Sequence, residues 1–234
     1  MKFKYSTVIA AILLLSSYSI GYSQDRVEML KTELAQLLKS DQDLRELFSP
    51  DINAERKTEI LREYSITDEE FKNRGWGITE ENDSLNLRKV EKIIREFGYP
   101  SKALVGSKLS TAVWYVLQHS DLTAMERYFP TIVRANKTGD LPDANVAMMK
   151  DRMLMYQGKE QIYGTQGAGR LFKNSTTGKE EWTNFIWPIK NWRKVNKLRQ
   201  SVGIKQTIEE YEKALGLANS KRYTLKEVKE LTEQ

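Results

Sequence analysis

The chain of 234 residues contains no cysteine and a single histidine, and it carries a formal net charge of +5. Without thiols it can form no disulfide, iron–sulfur cluster or cysteine–zinc site, and one imidazole excludes the usual multi-histidine zinc site. Composition leaves open only a carboxylate-rich calcium or magnesium site. The 37 basic and 32 acidic side chains are interspersed, which argues against a nucleic-acid or membrane-surface partner.

Residues 1–23 have the order of a cleavable secretory signal peptide: Lys2 and Lys4, then the apolar run Val8–Leu15, then Gly21-Tyr22-Ser23 with small residues at the two positions a signal peptidase inspects. Cleavage is expected after Ser23. The apolar run falls short of the roughly 20 residues that span hydrocarbon, and there is no cysteine for a lipid anchor, so the mature protein is expected free in the periplasm or the medium. Losing Lys2 and Lys4 leaves 35 basic against 32 acidic side chains and lowers the charge from +5 to +3. The remaining chain, roughly 210 residues, is long enough to bury one core.

Helical periodicity dominates that remainder. Val27, Leu30, Leu34, Leu37 and Leu38 form one apolar face of a first helix ending near Lys39. Ser40 with Asp43 and Thr67 with Glu70 read as capping boxes, so short helices are expected across 41–74. Gly75-Trp76-Gly77 interrupts the pattern, which resumes at Leu87, Val90, Ile93, Ile94 and Phe97 and stops at Gly98. Residues 24–98 thus read as an N-terminal helical lead-in to a helical domain over 99–234, the two together forming one compact unit. Leu109–Leu117 is apolar all round, as a buried central helix would be. Ser120 or Asp121 can cap the next helix, which Pro130 should kink or divide. Pro142 suits a first helical turn, and Val146, Met149, Met153 and Tyr156 make an apolar stripe that ends at Gly158. Gln161–Gln166, Arg170–Lys173 and Glu181–Ile186 alternate like strands around glycine-containing turns, predicting a β-hairpin within 160–187. Helices return with boxes at Thr207/Glu210 and Thr224/Glu227. The fold class is mainly α, a compact multi-helix domain with a small β-hairpin.

Several of these segments carry a resemblance. Phe97-Gly-Tyr-Pro100, Gln118-His-Ser-Asp121, Asp151-Arg-Met-Leu154 with Gly158, and Gln161-Ile-Tyr-Gly-Thr-Gln166 resemble an uncharacterised bacterial family, a domain of unknown function with QHxD and DRxLxxxGxxQxYGTQ motifs. The likeness runs from about Leu85 to Leu215, and the YGTQ block is its most specific part. It implies no established activity.

The chemistry must therefore be argued from the residues. His119, near a helix end, is a candidate general acid or base with Asp121 or Asp151 as its carboxylate partner; the alternative is a structural hydrogen bond. Asp151 and Arg152 sit in a methionine-rich helix, where each needs a partner if buried. An ion pair between helices would satisfy Asp151, whereas Arg152 could equally hold a ligand carboxylate or phosphate through its planar fork. Alternation would place Gln161, Tyr163 and Thr165 on one strand face. With Gln118, Arg152 and Gln166 they form the candidate ligand-binding set, suited to a polar small molecule, a glycan, a peptide or an envelope protein. No P-loop, GxGxxG unit or GxSxG elbow occurs, and no cofactor or metal is assigned. Trp182, Trp187 and Trp192 read as core anchors rather than a nucleic-acid platform. Two functions follow from different classes: a binding or interaction module with a polar pocket, and, alternatively, a metal-independent hydrolase or transferase using His119.

Overall fold

The computed structural model describes residues 23–173, 178–218 and 220–232; the expected signal peptide, apart from Ser23, lies outside the described residues. The order of elements is α1 (Gln24–Glu46), α2 (Ala54–Glu63), α3 (Asp68–Phe97), α4 (Lys102–Val105), a 3-10 turn (Leu109–Thr111), α5 (Ala112–His119), α6 (Leu122–Lys137), α7 (Asp143–Tyr156), β1 (Gly167–Lys173), β2 (Glu180–Ile186), α8 (Val195–Ser201), α9 (Ile208–Ala214) and α10 (Leu225–Thr232). The fold is mainly α with one antiparallel hairpin, as the sequence predicts.

The largest apolar cluster is built on α5. Ala112, Val113, Trp114, Val116 and Leu117 are buried among Leu30, Leu34 and Leu37 of α1, Val90 and Ile93 of α3, Met125 and Ile132 of α6, and Met149 of α7. Burying each such leucine, isoleucine or methionine contributes roughly 1.5–3 kcal/mol. The segment read as a lead-in therefore supplies part of this same core. Trp114 is satisfied at its polar edge, its Nε1 donating to the Asn145 carbonyl at 2.9 Å. A second cluster joins the end of α1 to α2 and the start of α3 through Leu44, Leu47, Ile60 and Leu61. Two further clusters seat the hairpin, one with Val228 of α10 and one with Val195 and Ile208 of α8 and α9.

Several boundaries differ from expectation. Helix α1 does not stop near Lys39 but runs to Glu46, because Leu37, Asp41 and Leu44 continue its buried face. Ser40 is accordingly no cap; its hydroxyl donates to the Leu37 carbonyl. The interruption expected at Gly75-Trp76-Gly77 is present one residue earlier, at Arg74 (φ −144°, ψ 25°), where two helical stretches of α3 join across a kink. Helix α6 is not divided, and Pro130 lies inside it. Pro142 occupies the N-cap of α7 and not its first turn. The boxes at Thr207/Glu210 and Thr224/Glu227 form as expected.

The hairpin pairs Gly167 with Ile186 through to Lys173 with Glu180. Gln161–Gln166 is not one of its strands. Only Gln161 makes an isolated parallel bridge, to Ile189, and the rest of the segment is a loop wrapped around a buried carboxylate.

Candidate functional site: an arginine-floored groove beside an aspartate–histidine pair

Asp151, fully buried on α7, is the centre of that loop. Its carboxylate accepts four donors: the backbone N–H groups of Ile162 (2.7 Å), Tyr163 (3.0 Å) and Thr165 (3.1 Å), and the Thr165 hydroxyl (3.1 Å). A strand would have sent these amides to a neighbouring strand, so the carboxylate has replaced the ladder. Burial pushes the Asp151 pKa up, and the four hydrogen bonds oppose that shift. From the opposite side the buried Arg199 guanidinium donates to the carbonyls of Tyr163 and Gly164, both at 3.0 Å. Gly164 sits at φ +65°, and a Cβ there would lie 2.6 Å from Ile189 Cδ1. The Gln161 side chain closes the loop, its Oε1 accepting from Gln166 N (2.9 Å) and its Nε2 donating to the Gln166 and Trp187 carbonyls (3.0 and 2.6 Å).

Arg152, the next residue, is held differently. Its Nε donates to Gln166 Oε1 at 2.9 Å and its Nη1 to the Gln118 carbonyl at 3.0 Å. It forms no ion pair among the described residues, and its Nη2 has no hydrogen bond yet is not buried. Desolvation without an adjoining carboxylate pushes its pKa down. The guanidinium opens on a groove of about 590 Å³ lined also by Trp76, Thr165, Gln166, Trp182, Asn184, Tyr211 and Leu215. Trp182 is no core anchor: it is 65% exposed, whereas Trp187 is buried.

A second cavity, about 300 Å³, lies further along α3, where Glu80, Asp83, Ser84 and Leu87 face His119, Asp121 and Tyr156. The carboxylate in contact with His119 is neither Asp121 nor Asp151. Asp121 caps α6, accepting from Ala124 N at 2.7 Å, and Asp151 is occupied by its loop. The partner is Asp41 of α1, fully buried, with oxygens 2.9 and 3.1 Å from Nδ1. An ionised carboxylate only accepts, so Nδ1 carries the proton and Nε2 keeps its lone pair, to which Gln118 Nε2 lies 3.3 Å away. Burial pushes the imidazole pKa down, more strongly than the Asp41 hydrogen bond and charge raise it. Arg45 bridges this pair to α3, donating to Asp41 and, at 2.7 Å, to Asp83. The other Asp83 oxygen is buried without a hydrogen bond, and burial raises that carboxyl's pKa.

The candidate residues thus divide. Arg152 and Gln166 line the groove, while Gln118 joins them only through the carbonyl that Arg152 binds and turns its side chain to His119; Gln161 and Asp151 hold the loop; Tyr163 gives it backbone groups; Thr165 serves both loop and groove. Sequence reasoning missed Asp41, whose only signal was a carboxylate interrupting a run of apolar helix positions. It also missed Trp76 and Trp182 as groove walls. Among the described residues no group of three or more histidine and carboxylate side chains is placed to hold a metal.

A mainly helical body with a carboxylate-centred loop and an arginine-floored groove is the class of protein defined here. The chain belongs to a family of unknown function (DUF6624), matched over residues 77–226. Asp41 and Trp76 lie ahead of the matched segment. No curated protein and no solved structure matches the chain.

Proposed function

We propose that the protein is an exported binding module whose groove captures an anionic group of its ligand on Arg152. The observation that carries this reading is the state of the guanidinium: Nε and Nη1 are fixed by Gln166 and Gln118, while Nη2 is not fully buried and has no hydrogen bond or carboxylate partner, in a side chain that lines the groove. A cation desolvated this far is stabilised by gaining an anion, and two of its donor atoms are already oriented to present the rest. Export follows from the order of residues 1–23, and N-terminal sequencing of the secreted protein should begin at Gln24. A thermal-shift screen against cell-wall fragments, sugars, peptides and small anions should give anionic hits that Arg152→Met abolishes. Hits unchanged by that substitution would defeat the reading.

A second reading, a metal-independent hydrolase or transferase, is favoured by one observation, the Asp41–His119 pair with His119 lining the smaller cavity. It would place His119 as general base, oriented by Asp41. Turnover of any ester, amide or glycoside substrate should then fall by at least about a hundredfold in His119→Gln. Activity surviving that change would remove His119 from the chemistry.

A further inference from the structure

Two indoles wall the groove, and both stand in water. Trp76 and Trp182 are each 65% exposed, an unusual use of the largest apolar side chain. Neither is loose. Trp76 stacks on Phe48 with ring centroids 4.1 Å apart and planes 16° from parallel. Trp182 pairs across the hairpin with Leu171, and its ring reaches diagonally over Gly169: a Cβ on Gly169 would come within 2.4 Å of Trp182 Cζ2, so only glycine admits the ring there. Asn184, two residues along β2, fixes the indole edge by accepting from Trp182 Nε1 at 3.0 Å. Holding an exposed apolar ring in one orientation prepares a face for stacking, because the entropy of ordering it has been lost before a ligand arrives.

The polar inventory of the same groove is short. Gln166 spends its oxygen on Arg152 and its nitrogen on Met148 and Thr165. The Thr165 hydroxyl donates to Asp151, the Tyr211 hydroxyl donates to the Thr165 carbonyl, and the Asn184 oxygen is taken by Trp182, which leaves the Asn184 amide nitrogen with donors to offer. Arg152 is the only charged side chain among the described lining residues. A polyhydroxylated sugar would find few partners here, and a phosphate dianion would meet only one positive charge. One cation between fixed aromatic walls matches one negative charge on a flat apolar body.

Resting on the reading of Arg152 as an anion anchor, we propose that the ligand is a monocarboxylate with an aromatic body, stacked on Trp76 or Trp182 while its carboxylate meets Arg152. Two sources share this chemistry: a free arylalkanoic acid, and the C-terminal residue of a peptide ending in an aromatic side chain.

The test is calorimetric titration of the purified protein with 3-phenylpropionate, its uncharged amide, the tripeptide Gly-Gly-Phe, glucuronate and inorganic phosphate. The carboxylate should bind at least about tenfold more tightly than its amide. Trp182→Ala and Trp76→Ala should each weaken it several-fold while leaving the melting temperature within a few degrees of the parent. Asn184→Ala should weaken it less, by loosening Trp182 without removing it. A tighter fit for Gly-Gly-Phe than for 3-phenylpropionate assigns the peptide source, and the reverse assigns the free acid. If phosphate or glucuronate binds in an Arg152-dependent way that ignores both tryptophans, the anion anchor stands and the aromatic monocarboxylate is overturned. If none of the five probes shows a dependence on Arg152, both fall.

Discussion

Asp151 and Arg152 are adjacent on one helix, each carries a full charge, and the protein treats them in opposite ways. The carboxylate is fully buried, and its four donors come from one six-residue loop. The guanidinium two atoms of backbone away has two anchors and an open nitrogen. A saturated charge organises the chain around it and has nothing left to offer a ligand; an unsaturated one in a groove does. Neighbouring charged residues in a buried helix thus separate into structure and recognition by counting what remains unbonded, and sequence distance says nothing about which is which.

The sharpest way to break the comparison is to remove the Asp151 charge. Asp151→Asn keeps the size but turns an NH₂ group toward loop amides that need acceptors, so a loss of about 3–5 kcal/mol is expected. For a chain of this length that corresponds to roughly 6–20 °C in melting temperature, read by calorimetry. A loss near zero would mean that the loop holds itself. Gly164→Ala tests the same loop from the other side, because the methyl would meet Ile189 and Ile208 at a backbone φ of +65°. About 2–4 kcal/mol of destabilisation is expected, from strain and overpacking together.

Parts of this contrast were visible in the amino-acid order and parts could not be. The caps at Thr207 and Thr224 are local, four-residue events, and local patterns suffice to find them. The hairpin strands were legible for the same reason. Gln161–Gln166 was misread as a strand because its side chains alternate, and alternation records side chains and not where the amides go; a single carboxylate eleven residues upstream decided that. Asp41 and His119 are 78 residues apart, so no spacing rule joins them. Ser40 and Asp43 match a capping box in sequence, yet the buried face of α1 continues through Asp41 because Asp41 has a partner in the core. The rigid seat of Trp182 left a faint trace, a tryptophan and an asparagine two apart on one strand face, with its glycine on the opposite strand.

The His119 cluster supplies a gentler test, through pH. The imidazole faces Asp41 and Arg45 of α1, Asp83 and Glu80 of α3, Asp121 of the α6 cap, and Tyr156 and Arg152 of α7. Its folded pKa is depressed below the ordinary 6.5, chiefly by burial. Between the depressed value and 6.5 the unfolded chain holds the proton and the folded chain does not, so stability falls as pH is lowered through that window. The contribution is complete above 6.5. Denaturant melts across that range should show the parent losing stability on acidification relative to His119→Gln. A parent that instead gains on acidification would mean that Asp41 holds the imidazole charged.

The smallest expected effect is the most discriminating. Arg152→Met removes two hydrogen bonds and leaves the Gln118 carbonyl and Gln166 Oε1 short of a donor, which lowers stability. It also removes a desolvated cation that has no counter-charge among the described residues, which raises it. The two changes oppose each other, and Gln166 lines the groove, where water can reach it, so the net should lie within about 1 kcal/mol of zero. Ligand binding should nevertheless be lost. A melting temperature that falls as far as in Asp151→Asn would show the guanidinium to be as structural as its neighbour. An unchanged melting temperature with binding abolished would separate the two charges as the open Nη2 requires.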